Sequence, residues 1–349
     1  MLIVYSREEL EKYMKDEAES LKDGPVLIDK FLENAQEIDV DAIGDGTDIV
    51  VAGIMQHIEE AGIHSGDSAM ILPPLTIDKK ILLEIEKQAV VCGKALHVKG
   101  LMNIQFAIKD SEIYFIEVNP RASRTVPFVS KATGIQWAKM AALVMVGHTL
   151  KDLGILNYRK PEYISVKEVV IPFNKFPDVD AVLGPEMKST GEVMGIDYDF
   201  GTAFLKSQQA AGQKFPKSGS ILVTVNDVNK PGIIEPMKKI KKLGYNIIST
   251  SGTARYLIDN GIECRTVFKL SEGRPNIIDE IKNGNIQIIF NTPAGKEAYA
   301  DDAYIRKTAI TLQIPLFTTI QAMLALAQAL ESFHHKGPGV CPLQEYYSS

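Results

Sequence analysis

From Ile221 onward the chain alternates between two kinds of segment, and this alternation restricts the fold more than any other feature. "ILVTVND", "YNIIST", "IECRTVF", "IQIIFNTP" and "IPLFTT" are short and apolar. Between and after them stand "IIEPMKKIKKLG", "ARYLIDNG", "IIDEIKNG", "YIRKTAITLQ" and "AMLALAQALES", with helical spacing and a closing glycine or loop. Short strands that run apolar need cover on both faces, and a helix after each strand supplies it. Five strands alternating with five helices predict a doubly wound parallel sheet. "GQKFPKSGS" (Gly212–Ser220) reads as the linker in front of it, so the domains are expected at 1–212 and 213–349.

The first 212 residues have another texture. Pro25–Phe31, Glu37–Gly44 and Asp48–Ile58 alternate or run apolar, as antiparallel strands do. Lys80–Leu96 has helical periodicity, Gly134–Gly147 reads as a buried helix, and Pro172–Gly195 is rich in Pro and Gly and irregular. The length of 349 residues suits two domains. The formal net charge is -6, with both signs interspersed, so nothing marks nucleic acid as the main partner. Cys92, Cys264 and Cys341 lack the spacing of a disulfide framework or zinc knuckle and read as inert thiols in a reducing compartment. Charges interrupt the N-terminal apolar run before a signal peptide can form, and no apolar run is long enough to span a membrane. A cytoplasmic protein is expected.

The chemistry concentrates in "FIEVNPRASRTVPFVSKATG" (Phe115–Gly134). An apolar strand ends there with Glu117, Asn119 and Arg121 at every second position, and Arg124 follows. Alternation puts the first three on one face if the strand persists. "LMNIQFAI" and "EIYFIEVNP" flank "KDSE" and read as a hairpin. A three-residue loop, Asp110–Glu112, would set Gln105 opposite Glu117 and Asn103 opposite Asn119; a two-residue loop would turn Gln105 away. Carboxylate and amide oxygens suit Mg²⁺ with phosphate oxygens completing its shell, and arginine forks suit phosphate. Together they fit in-line phosphoryl transfer. A solvated hairpin face would show the same alternation.

The E-x-N-P-R run after an apolar strand resembles the metal-binding strand of ATP-grasp ligases. Its continuation "ASRTVPFVSKATG" resembles the carbamate-phosphorylating second half of the carbamoyl-phosphate synthase large chain. Biotin carboxylases share the acid and amide but continue differently. The resemblance extends over "EIDVDAI", "HIEEAGIHSGDSA", "GLMNIQFAI" and "SVKEVVIPFNKFPDVD", and over the C-terminal domain. It implies an α/β chain in two parts. The first is a partial ATP-grasp (α+β, antiparallel sheet). The second is a doubly wound, parallel, five-stranded, methylglyoxal-synthase-like allosteric domain.

The resemblance also assigns roles. Lys30 and Leu32 match the hinge strand beside adenine, and Glu37 a nucleotide-contacting carboxylate. Gly62, Ile63, His64 and Ser65 match the loop beside the nucleotide phosphates. Gln105, Glu117 and Asn119 match the metal ligands, and Arg121 and Arg124 the residues that hold carbamate and the transferred phosphoryl. In the C-terminal domain Lys230, Thr250, Thr253, Lys269 and Asn291 match contacts to a nucleotide monophosphate, UMP or IMP, on the anion-binding turn "STSGTARYL". A helix cap by Thr250 or Ser251 is the plainer reading of that turn. Glu59, Asp67 and Glu168 match positions where the family binds ornithine, but Pro293 and Leu316 replace a Thr and a Tyr found in family members.

ATP, Mg²⁺ or Mn²⁺, and K⁺ are the implied cofactors. The implied partners are an N-terminal part of the large chain, a glutaminase small subunit, bicarbonate-derived carbamate and further copies in an oligomer. In the family a glycine-rich phosphate loop stands immediately before "MLIVYSREEL". Its absence from this sequence implies a fragment inactive alone, or else a non-catalytic nucleotide-monophosphate sensor. "FNTPAG" lacks the Asp-Pro of methylglyoxal synthase, so that activity is not expected.

Overall fold

The computed structural model describes residues 4, 6–16, 26–32, 35–158, 160–173, 181–292 and 299–347. Seven strands form an antiparallel sheet: β1 (Gln36–Asp45), β2 (Ile49–His57), β3 (Met70–Leu72), β4 (Lys99–Lys109), β5 (Glu112–Asn119), β6 (Ile164–Val170) and β7 (Gly191–Asp197). Their order is β5-β4-β1-β2-β3-β6-β7. The alternation "EIDVDA" decides what β1 does. Ile38, Val40 and Ala42 pack with Ile85 and Ala89 of the helix Lys79–Ala95. Glu37, Asp39 and Asp41 are left for the opposite face. Asp78 starts that helix by accepting the Lys80 amide at 2.7 Å.

Five further strands form a parallel sheet: β8 (Ser220–Thr224), β9 (Asn246–Thr250), β10 (Arg265–Val267), β11 (Ile288–Asn291) and β12 (Leu316–Phe317). The order β10-β9-β8-β11-β12 is doubly wound and reverses between β8 and β11. Crevices for ligands form at the carboxyl ends of strands at such a reversal. The expected five-strand alternation is therefore present.

The two sheets share a core. Ile58, Ala69, Ile71 and Val166 belong to one buried cluster with Ile221, Val223, Phe290 and Phe317. The helix Phe200–Ala210 lies between, with Phe204 buried in that cluster. Its Asp199 cap also accepts Ser332 Oγ at 2.6 Å from the helix Ile320–His335.

Three expectations are corrected. Val26–Phe31, all but the first residue of the strand expected over Pro25–Phe31, pairs with no described strand, and Leu27 and Ile28 are exposed; Pro25 lies outside the described residues. The helix expected over Gly134–Gly147 is Trp137–Met145, and it is one-sided: Trp137, Ala141 and Val144 are buried while Met145 and Val146 are exposed. The stretch read as irregular ends inside β7, whose "GEVMGID" has weak strand propensity. Gly195 explains that weakness: a Cβ there would fall 2.0 Å from the Ala203 carbonyl, so the glycine lets a helix lie directly on the strand.

Candidate functional site

The hairpin departs from its expected turn and still reaches the expected pairing. Lys109 pairs with Glu112, so the turn is the two residues Asp110 and Ser111, with φ of 51° and 65°. Positive φ at both positions is the type I′ geometry that matches strand twist. A register shift follows between Gln105 and Phe106, where Ile116 is the extra residue of a bulge on β5. Phe115 therefore pairs with Phe106, their rings meeting edge-on at 5.2 Å, and Glu117 pairs with Gln105. The three-residue loop is wrong, and the bulge does its work.

Two polar rows cross the sheet as a result. Asp39, Gln105 and Glu117 face one another across β1, β4 and β5. Asp41, Asn103 and Asn119 form the next row on the same face. Asn119 Nδ2 donates to Glu117 Oε1 at 2.8 Å, so the two are held together. Arg121 and Arg124 follow on an exposed loop. Arg121 donates to the Ala122 carbonyl at 3.1 Å, and Arg124 lies against the Met187 sulfur.

The residues expected to contact a nucleotide gather beside these rows. Glu37 Oε1 accepts the Gly62 amide at 3.0 Å. Gly62 has φ +93° and faces the Phe31 ring, so the Lys30–Leu32 segment passes this loop. Ile63 lies within the loop, and His64 Nδ1 accepts the Gly66 amide at 3.0 Å. The Ser65 carbonyl accepts Lys167 Nζ at 3.4 Å.

His57, Lys167, Asp39 and Asp41, none of them expected from the sequence, join this face. His57 is buried, with Nε2 3.2 Å from Asp39 Oδ2 and Nδ1 3.3 Å from Glu37 Oε2. Burial opposes its charge, but the hydrogen bonds and charges of Asp39 and Glu37 outweigh burial and raise its pKa to about 9. The imidazolium thus ties both acids of β1 to β2. Lys167 is brought onto the same face by the pairings His57–Met70 and Met70–Lys167. Burial lowers its pKa, against the opposing pull of Glu192, Glu168, Asp39 and Asp67. For the acids a signal existed: "EIDVD" places three carboxylates at every second position of a strand.

One carboxylate and two amides in adjoining rows fit a hard divalent cation that takes its remaining ligands from phosphate. Gln105, Glu117 and Asn119 would hold it. Among the described residues no group of three or more His, Cys, Asp or Glu side chains could hold a metal alone.

A second group stands at the carboxyl edge of the parallel sheet. Lys230 Nζ is 2.6 Å from Asp227 Oδ1, and Asp227 also feels the charge of Lys269. Thr250 occupies the cap position of the helix Ser251–Asp259 without a side-chain cap bond, so the capping alternative does not account for its hydroxyl. Thr253 is buried and reaches the Val225 carbonyl at 3.4 Å. Asn291 is apart from these in character. It is buried, donates to Thr224 Oγ1 at 2.8 Å and Asp302 Oδ1 at 3.0 Å, and accepts from the buried Arg306 at 2.8 Å. Position 293 lies outside the described residues.

A third feature lies between the sheets. A cavity of about 540 Å³ is lined by Glu59, Asp67, Glu168, Gln208 and Leu316 among others. Burial raises Glu59 and Glu168 to about 7 each. Thr319 donates to Glu59 at 3.0 Å, Gln208 donates to Glu168, and Asp67 accepts the Lys188 and Ser189 amides.

Residues 1–153 match the family model "carbamoyl-phosphate synthase L chain, ATP binding domain", and residues 232–318 match the model "MGS-like domain". The chain is 45% identical to the carbamoyl phosphate synthase large chain, C-terminal section, of Aquifex aeolicus, covering all of this chain and 69% of the relative. It is 46% identical to the carbamoyl phosphate synthase large chain of Methanosarcina barkeri, over 95% of this chain and 83% of that one. The large chain of Archaeoglobus fulgidus is 48% identical over 99% of this chain, which spans 32% of that relative's length. Both parts of the fold, the antiparallel sheet and the parallel sheet, are thus accounted for by one protein family. The chain belongs to the carbamoyl phosphate synthase large chains, and its whole length is covered by the match to the C-terminal section from Aquifex aeolicus.

Proposed function

We propose that this chain is the C-terminal portion of a glutamine-dependent carbamoyl phosphate synthase. It phosphorylates carbamate with ATP to give carbamoyl phosphate and ADP, in the cytoplasm, for pyrimidine and arginine biosynthesis. In this reading residues 1–212 are the ATP-grasp part and residues 213–349 the allosteric part, sensing UMP or IMP. The partners are the remaining large chain, a glutaminase small subunit and further copies in an oligomer. Mn²⁺ can replace Mg²⁺, and K⁺ is an additional cation.

The observation that carries the reading is the pair of polar rows ending in the arginine loop. Gln105, Glu117 and Asn119 would hold Mg²⁺, which would supply positive charge to the phosphates. Glu117 and Gln105 stand opposite each other, and the bond from Asn119 fixes the carboxylate. Arg121 and Arg124 supply forks for the transferred phosphoryl and the carbamate. Glu37 orients the Gly62 loop toward the nucleotide, and Lys30 and Leu32 meet the adenine. His57 keeps Glu37 and Asp39 at fixed distances. Lys230, Thr250, Thr253 and Lys269 form the effector site, with Asn291 supporting it from below.

Calorimetric titration with ADP, with and without Mg²⁺, tests the assignment. Metal-dependent binding should weaken at least about tenfold in Glu117→Gln, while UMP binding stays unchanged. UMP binding with no MgADP binding would favour the sensor alternative instead.

A further inference from the structure

Asp41 is a carboxylate enclosed by the site, 1% exposed, that no role described above uses. Its Oδ1 accepts Asn103 Nδ2 at 2.9 Å and Ser123 Oγ at 2.8 Å. Its Oδ2 accepts Thr125 Oγ1 at 2.7 Å. The two hydroxyls are themselves 2.8 Å apart. Ser123 and Thr125 are the neighbours of Arg124 on either side, so the loop is pinned on both sides of that arginine. Thr125 begins the helix Val126–Thr133 from the cap position but makes no cap bond, its hydroxyl being turned to Asp41 instead. Asn103 stands opposite Asn119, in the row next to Gln105 and Glu117. One side chain on β1 therefore touches both the donor rows and the loop.

A carboxylate suits this position because three donors converge on it and its two oxygens offer acceptor sites for all of them. Burial raises its pKa to about 6, and the bonds from Thr125, Asn103 and Ser123 pull the other way.

We propose that Asp41 is a positioning residue that sets the arginine loop at a fixed distance from the Gln105–Glu117–Asn119 donors. It touches neither phosphate nor metal and acts through Ser123 and Thr125. The proposal rests on reading this face as the phosphoryl-transfer site, and it adds the residue that indexes one half of the site against the other.

The test uses the whole 349-residue chain. Ser123→Ala/Thr125→Val removes both ties and leaves Asp41 bonded to Asn103. Asp41→Asn is the conservative variant, able to accept at one oxygen and to donate to Thr125. Arg124→Ala is the reference. Hydrogen exchange is followed by mass spectrometry in peptides covering 121–125 and, as control, 221–224. Affinity for carbamoyl phosphate with MgADP is measured by calorimetry. In the double variant, exchange in 121–125 should rise about tenfold with the control unchanged, and affinity should fall by about the same factor. Asp41→Asn should stay close to the parent in both. Unchanged exchange and affinity in the double variant overturn the proposal; if Arg124→Ala still weakens binding, the functional reading survives it. An equal rise in 121–125 and in the control also overturns it, since Asp41 would then only support the fold. If Arg124→Ala binds carbamoyl phosphate as the parent does, or the parent does not bind it, the functional reading falls, and the proposal with it.

Discussion

On the seven-stranded sheet the polar residues stand on a face: Asp39, Asp41, Asn103, Gln105, Glu117 and Lys167 alternate with apolar residues that pack on the other side. On the five-stranded sheet they stand at the ends of β8, β9 and β11. Sheet type explains the contrast. The polar face of the antiparallel sheet is covered in part by the helices Val126–Thr133 and Trp137–Met145, and the rest of that face is left for chemistry, whereas a parallel sheet covered on both sides leaves only its carboxyl edge. The face holds buried ions against one another, as His57 does with Asp39 and Glu37. The edge has already spent one of its polar groups on scaffold, since Asn291 is bonded to Thr224, Asp302 and Arg306.

The largest effect should come from breaking the ion group of the face. His57→Ala leaves buried Asp39 without its cation and should cost about 3–5 kcal/mol in chemical denaturation. A cost below about 1 kcal/mol would mean that the face tolerates unpaired charge, and the contrast with the edge would disappear. Asn291→Ala should cost about 2–3 kcal/mol, because it takes an acceptor from buried Arg306. A ligand contact with no scaffold role would leave the midpoint of denaturation unchanged, so this variant decides whether Asn291 belongs to the proposed effector site or to the scaffold beside it.

The smallest effect is one of pH and separates the face from the inter-sheet cavity. Glu59 and Glu168 have folded pKa values near 7, above the ordinary 4.5, so their stabilising contribution is complete below about 4.5 and is lost as pH rises through 7. His57, raised from 6.5 to about 9, keeps its contribution below about 6.5 and loses it as pH rises through 9. Melting temperature should therefore fall in two successive windows. Glu59→Gln should shrink the first, leaving the part due to Glu168, and leave the second unchanged. A profile flat between 6.5 and 9 would show that the imidazolium does not bind the two acids of β1 together.

Much of this arrangement was legible in the sequence. The strand–helix alternation after residue 220 announced the parallel sheet because each run is short, apolar and closed by a turn. The Gln105–Glu117 pairing was also reachable from alternation, although the argument for it used the wrong loop. The bulge was not legible, since nothing in "EIYFIEV" distinguishes Ile116 from its neighbours. Lys167 escaped notice because a lone lysine in "SVKEVV" looks like the solvent side of a strand; only the chain of pairings through β3 turns it inward. The convergence of Glu59, Asp67 and Glu168 on one cavity needs both sheets packed together, which local pattern does not encode.

The bulge at Ile116 makes the hairpin a parity check on how the residues between Gln105 and Glu117 are shared out. The turn leaves two of them unpaired and the bulge one, and their sum decides which way Glu117 points. At this spacing, losing the bulge alone would send the carboxylate to the opposite side of the sheet from Gln105, as would a three-residue turn that kept the bulge. Making both changes together would return it. Among related chains of the same spacing, turn length and bulge are therefore free to vary only as a pair.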